Sequence, residues 1–191
     1  MLSTLIELQR LKSVDRAGWP LRGLPAGTES VAAHSFGVAA TAMLLADDLI
    51  ARGVQLDVER ILRMALMHDW AEARIGDMPR TATQYFGAEA RRKAESSAFA
   101  DIVAASDNSE TYAKLFDDYE GRASVEARLV KAADIIDLLV QVLALERAGS
   151  AGLEEFWDVV ETADFKLEGV ADQLIKEMLA QLVQERAQIR G

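Results

Sequence analysis

The stretch "MALMHDWAEARIGD", Met64–Asp77, runs from an apolar segment into a His-Asp pair, and His68, Asp69, Glu72 and Asp77 fall within ten residues. Its apolar residues recur at three- and four-residue spacing, the period of one helical face. The same spacing runs through almost the whole sequence, with no alternating strand run, repeat or low-complexity segment. The fold class is therefore all-α. Four ionisable groups in so apolar a setting need a purpose, because burying an unpaired charge is costly.

Composition narrows the purpose. The chain has 191 residues, 50% hydrophobic and 27% charged, which predicts a single folded domain over residues 1–191. There is no Cys, so thiolate zinc sites, disulfides and Cys nucleophiles are excluded. A net charge of −10 repels a phosphate polymer and argues against a nucleic-acid partner. A small anion can still bind where cations gather, and Arg16, Arg22, Arg74, Arg80 and Lys131 lie close in sequence to the acidic motifs. The first 14 residues read as an amphipathic helix, not a signal peptide. No apolar stretch approaches the roughly 20 residues that cross a bilayer, so no membrane partner and a cytoplasmic location are expected.

Punctuation divides the chain into elements. A first helix is predicted over Leu2–Val14, followed by a loop, "DRAGWPLRGLPAGTE", rich in Gly and Pro and carrying Trp19. Ser30 caps a second helix that Gly53 stops, and Asp57 caps a third that runs through the opening stretch to about Ile75. Gly76–Gly87 reads as a loop. Helices follow over residues 88–106, 109–120 and 124–148, then two packing helices over 153–162 and 165–189.

The chain has only two histidines, His34 and His68. His34 shares a helical face with Val38, Thr41 and Leu45 and is expected to point inward. In a continuous third helix Glu72 stands over His68, and Asp69 lies about 100° round. A third element, "RLVKAADIIDLLVQVLALE", buries carboxylates at Asp134 and Asp137 in an otherwise apolar helix. Spacing alone does not separate these two. Imidazoles and carboxylates together suit one divalent cation: Co, Mn, Zn, Ni, Fe or Mg. Such an ion lowers the pKa of a bound water and makes hydroxide available near neutral pH.

"ESVAAHSF" (Glu29–Phe36), "HDWAEARIGD" (His68–Asp77) and "VKAAD" (Val130–Asp134) together resemble the H…HD…D signature of the HD-domain metal-dependent phosphohydrolases. "GWPLRG" ahead of the first His, with Glu72 and Asp77 after the pair, is similar to the 5'-deoxyribonucleotidase branch. The resemblance covers roughly Asp15–Glu146. It implies a helical bundle with the metal site in its core, held by His34, His68, Asp69 and Asp134, and it leaves Asp137 either to support the ligands from behind or to packing. It further implies that Glu72 handles the proton of the attacking water, that Asp77 accepts a hydrogen bond from a sugar 3'-hydroxyl, and that Trp19 crowds the 2' carbon.

Two positions depart from the family pattern. Ala33 stands where many relatives have an acidic residue before the first His, and Gly18 stands where some have Arg before the Trp. The phosphate contacts thereby fall to Arg16 and Arg22, the nearest arginines. The implied reaction is in-line attack of a metal-bound hydroxide on the 5'-phosphate of a deoxyribonucleoside monophosphate, with a homodimer as the family's assembly. The alternatives are an HD hydrolase of another nucleotide, such as an alarmone or cyclic dinucleotide, and a nucleotide-binding regulator without activity. Keeping Glu72 beside the ligands favours the hydrolase, since a binder has little use for a proton-handling group.

Overall fold

Ser30 accepts a hydrogen bond from the Ala33 amide at 3.1 Å and so opens the helix that carries His34, as its sequence predicts. The computed structural model describes residues 1–190, apart from the side chains of Arg80 and Arg190; Arg80, one of the cations noted above, thus lies outside the described side chains. Among the described residues ten α-helices follow one another: α1 (Leu2–Leu8), α2 (Val31–Ala51), α3 (Val58–Met67), α4 (Glu72–Ile75), α5 (Arg80–Phe86), α6 (Ala88–Val103), α7 (Ser109–Gly121), α8 (Val125–Arg147), α9 (Val159–Thr162) and α10 (Gly169–Arg190). No strand forms among the described residues, and the fold is all-α. An isolated antiparallel bridge joins Asp15 to Ser30.

Several boundaries follow the local chemistry. Gly53, at φ +89°, ends α2, and the Val54 amide turns back to the Leu49 carbonyl at 3.0 Å. Asp57 accepts from the Arg60 amide ahead of α3, and Ser124 from the Ala127 amide ahead of α8.

Other boundaries differ from expectation. The first predicted helix tightens into a 3-10 turn over Gln9–Lys12. The third predicted helix does not reach Ile75: it stops at Met67 and resumes as the four-residue α4. The segment Gly76–Gly87 contains α5, because Pro79 fixes the approach to its first turn and its carbonyl takes the Ala82 amide at 2.8 Å. The last helix starts at Gly169, not Phe165. Asp164 captures the Lys166 amide at 2.9 Å and Lys166 adopts φ +54°, a turn that competes with helix.

Helix α2 also corrects the expectation about apolar length. Its 21 residues are long and apolar enough by length and composition to cross a membrane. It carries the buried His34 and Ser35 among Val31, Val38, Ala42, Leu45, Ala46 and Leu49, the pattern of a core helix.

The chain forms two compact units, residues 1–36 with 67–117 and residues 37–66 with 118–191. In the first, Phe99 stacks on Phe116 with ring centroids 4.1 Å apart, and Trp70 packs against Phe99 and Tyr112. This aromatic cluster backs the HD stretch. In the second, α8 packs along α10, burying Leu129, Ile136 and Leu139 with Leu174 and Ile175. Gly37 admits Asp137 to the α2 backbone in this unit: a Cβ there would lie 2.0 Å from Asp137 Oδ1.

Candidate metal and proton-transfer site

The interruption of the third helix shapes the site. Where α3 ends, amides bond to carbonyls three residues back: Trp70 to Met67 at 3.1 Å, Glu72 to Asp69 at 3.0 Å and Ala73 to Trp70 at 3.1 Å. These tighter turns abolish the expected stacking of Glu72 over His68. They also bring neighbouring side chains together, with His68 Nε2 only 3.1 Å from Asp69 Oδ2. In a continuous helix those two side chains would diverge.

Other groups gather at the same carboxylate oxygen. His34 Nε2 lies 3.8 Å from Asp69 Oδ2, and a ring nitrogen of His34 lies within 4.8 Å of one of His68. Arg16 donates to Asp69 Oδ2 at 3.2 Å and approaches Asp77 Oδ2 at 3.8 Å. Both imidazoles are buried. Two ring nitrogens directed at one carboxylate oxygen, with no thiolate, form a donor set that fits a divalent cation.

The carboxyls here titrate in opposite directions. Burial alone would raise Asp69, but the charge and hydrogen bond of His68, then the charges of Arg16 and His34, outweigh it and hold Asp69 well below the ordinary range. Glu72 is pushed up to about 10, first by burial and then by the Asp69 and Asp77 charges, with Arg16 and Arg91 pulling the other way. Glu72 Oε2 is buried without a hydrogen-bond partner among the described residues. At neutral pH the metal-free chain thus holds a carboxylate and a protonated carboxyl side by side, an arrangement suited to acid-base work.

The remaining residues singled out by the sequence occupy distinct places. Asp77 follows Gly76, which at φ +74° turns the chain out of α4, and Asp77 Oδ2 accepts the Ala17 amide at 2.8 Å. The motif thereby holds the loop that carries Trp19. Trp19 is 1% exposed and donates its indole N–H to Glu29 Oε2 at 2.8 Å. Arg22 donates to the Gly18 carbonyl at 3.0 Å, bracing the loop. Asp134, in the second unit, is buried on α8, where Lys131 Nζ meets Oδ2 at 2.6 Å and the Tyr119 hydroxyl donates at 3.4 Å.

Two residues at the first unit's cluster escaped the sequence reading. Glu29 has no role of its own in the motif that contains it, yet it contacts Trp19 and a carboxylate oxygen of it lies within 4.8 Å of a His34 ring nitrogen. Arg91 sits on the charged helix α6, held by Glu95 at 2.7 Å and Thr83 at 3.3 Å, with its charge acting on Glu72 and Asp77. No local pattern distinguishes it from the other charges of that helix.

Residues 8–167 match the family described as HD domain. The 5'-deoxynucleotidase hdd1 of Schizosaccharomyces pombe is 31% identical over 189 residues, 95% of this chain and 87% of its own length. The human 5'-deoxynucleotidase HDDC2 is 30% identical over 162 residues, 83% of this chain and 75% of its own. A solved structure of a conserved hypothetical protein from Pyrococcus furiosus is 34% identical, with a TM-score of 0.80 over 98% of this chain and 99% of that one.

Proposed function

Since the chain belongs to the HD-domain family of metal-dependent hydrolases, we propose that it removes the 5'-phosphate from deoxyribonucleoside monophosphates. The observation that carries this reading is the meeting of His34 Nε2, His68 Nε2 and Arg16 at Asp69 Oδ2, beside a buried Glu72 that holds its proton. The relatives named as 5'-deoxynucleotidases support the substrate class.

In this reading His34, His68, Asp69 and Asp134 hold one divalent ion. When bound, the cation supplies the charge that acidifies a water for in-line attack on phosphorus and offsets charge on the phosphoryl oxygens. The chain's own residues do the rest. Positive charge at the cluster favours the ionised form of Glu72, which takes the proton from the attacking water. As the phosphorus–oxygen bond forms on one side, the bond to the 5'-oxygen breaks on the other, and the nucleoside oxygen receives a proton. Arg16, anchored between Asp69 and Asp77, faces the phosphate, with Arg22 behind it in the loop. Asp77 accepts from the 3'-hydroxyl with its second oxygen, and Trp19 crowds the 2' carbon. In the same reading the protein works in the cytoplasm as a homodimer, for which exposed apolar side chains such as Met43, Leu44, Ile50 and Val140 are available.

The test is a panel of deoxynucleoside monophosphates offered to protein stripped of metal and reloaded with Mn or Co. Phosphate release is expected, and no turnover on any of them overturns the reading. Asp134→Ala is expected to lose bound metal and to reduce kcat/KM by about a thousandfold, the scale of several kcal/mol of charge stabilisation. Asp137→Ala should keep the metal and lose stability. The reverse outcome overturns the assignment of Asp134.

A further inference from the structure

An aromatic side chain can discriminate a 2'-hydroxyl from a hydrogen only if it cannot retreat, because a displacement of about 1 Å is enough to change a rate a hundredfold. Trp19 sits in a loop of Gly and Pro, which by composition would let it move. The structure restrains that loop at its base. Asp15 bridges to Ser30, the Arg16 amide bonds to the Glu29 carbonyl at 3.0 Å, and the Val31 amide bonds to the Val14 carbonyl at 2.9 Å. Across the loop, Asp15 Oδ2 accepts the Gly27 amide at 3.1 Å.

The indole itself is held through its N–H. Trp19 Nε1 donates to Glu29 Oε2 at 2.8 Å, and a buried indole N–H requires such an acceptor. A carboxylate makes that bond stronger than a neutral acceptor would. Glu29 precedes the Ser30 cap of α2, so it is fixed to the start of the helix that carries His34, and its carboxylate lies within 4.8 Å of a His34 ring nitrogen. One side chain thus connects the aromatic to the base of a proposed metal ligand.

We propose that Glu29 is a positioning residue for sugar specificity: its carboxylate fixes the Trp19 indole relative to His34, so that a 2'-hydroxyl finds no room. The inference rests on the reading that Trp19 crowds the 2' carbon. The effect of Glu29 on sugar choice passes through its hydrogen bond to Trp19.

The test uses metal-loaded enzyme and compares kcat/KM for a deoxyribonucleoside monophosphate with that for its ribo counterpart. Bound metal per chain and the near-ultraviolet circular dichroism of the indoles are read on the same samples. Two variants separate reach from charge. Glu29→Gln keeps an oxygen at the right distance without the charge and is expected to keep the sugar ratio within about threefold, as a neutral acceptor still satisfies the donor. Glu29→Asp keeps the charge but withdraws the oxygen by about 1.5 Å, one carbon–carbon bond, and is expected to lower the ratio roughly tenfold with metal retained. If the Asp variant preserves the ratio while Trp19→Ala abolishes it, the brace is overturned and the sugar gate stands. If the Gln variant loses the ratio and the Asp variant keeps it, charge and not position is responsible, which also overturns the proposal. An unchanged ratio in Trp19→Ala overturns the gate itself and the inference with it.

Discussion

Glu72 in the first unit and Asp118 in the second are both buried carboxyls, and they are built in opposite ways. Asp118 accepts the Ser124 amide at 2.8 Å, the Ser124 hydroxyl at 2.6 Å, and Arg60 through Nε at 3.2 Å and through a terminal nitrogen at 2.6 Å. Glu72 has an oxygen without a hydrogen-bond partner among the described residues and two acidic neighbours, Asp69 and Asp77. Burial would raise both; donors hold Asp118 below its ordinary value, whereas like charges push Glu72 further up. A carboxyl saturated with donors is a tie between elements, joining α3, α7 and the start of α8. One left underbonded and surrounded by like charge is a cost that the fold retains for chemistry.

Substitution should separate the two roles, and the largest effect belongs to Glu72. Glu72→Gln preserves shape and removes proton exchange, so kcat should fall by about a hundredfold or more, the typical contribution of a positioned acid or base. The same change should leave the metal-free chain no less stable, and raise Tm by roughly 2–4 °C if it relieves about 1 kcal/mol. Steady-state kinetics and thermal unfolding on one preparation check both halves. A variant with full activity, or one that unfolds like a core truncation, would break the contrast.

Asp118→Ala should give the converse result at smaller scale. Removing an ionised acceptor leaves the Ser124 donors and the Arg60 guanidinium short of a partner, at a cost of about 2 kcal/mol. Unfolding should shift accordingly while kcat/KM of the folded fraction stays near wild type. Loss of activity at unchanged Tm would mean that Asp118 belongs to the chemistry after all.

The contrast also marks how far the sequence could be read. Ser30, Asp57, Ser124 and Gly53 act through their nearest neighbours, so the helix ends they set were visible in the residues alone. The grouping of His34, His68 and Asp69 was implied by the resemblance to the HD-domain phosphohydrolases; their spacing alone left it open. The break at His68 was not visible, because the helix formers Met64–Met67 and Ala71–Ile75 on either side of His68, Asp69 and Trp70 favour one continuous helix, and the convergence of His68, His34 and Arg16 on one carboxylate that accompanies the break is not local. Arg16 pairs with a residue 53 positions away and the Ala17 amide with one 60 away, and no local window contains such a pair. The same holds for Glu29 and Arg91, whose roles come from what folding places beside them.

The smallest effect is a matter of pH. Because the folded state holds Asp118 below its unfolded value, its contribution to stability is present in full above the ordinary Asp pKa of about 3.9 and disappears as pH falls through the folded value. Its size is about 1.4 kcal/mol for each unit of depression. Many carboxylates titrate in that window, so wild-type unfolding alone does not isolate Asp118. The difference between wild type and Asp118→Asn does, since both share every other group. That difference in Tm should be steady from pH 7 down to about 5 and shrink as pH falls below the ordinary Asp pKa of about 3.9, where the unfolded chain takes up a proton that the native side chain still resists. A gap that stays constant to pH 3 would show that the Arg60 and Ser124 bonds hold a group whose charge contributes nothing. The distinction from Glu72 would then rest on hydrogen bonding alone.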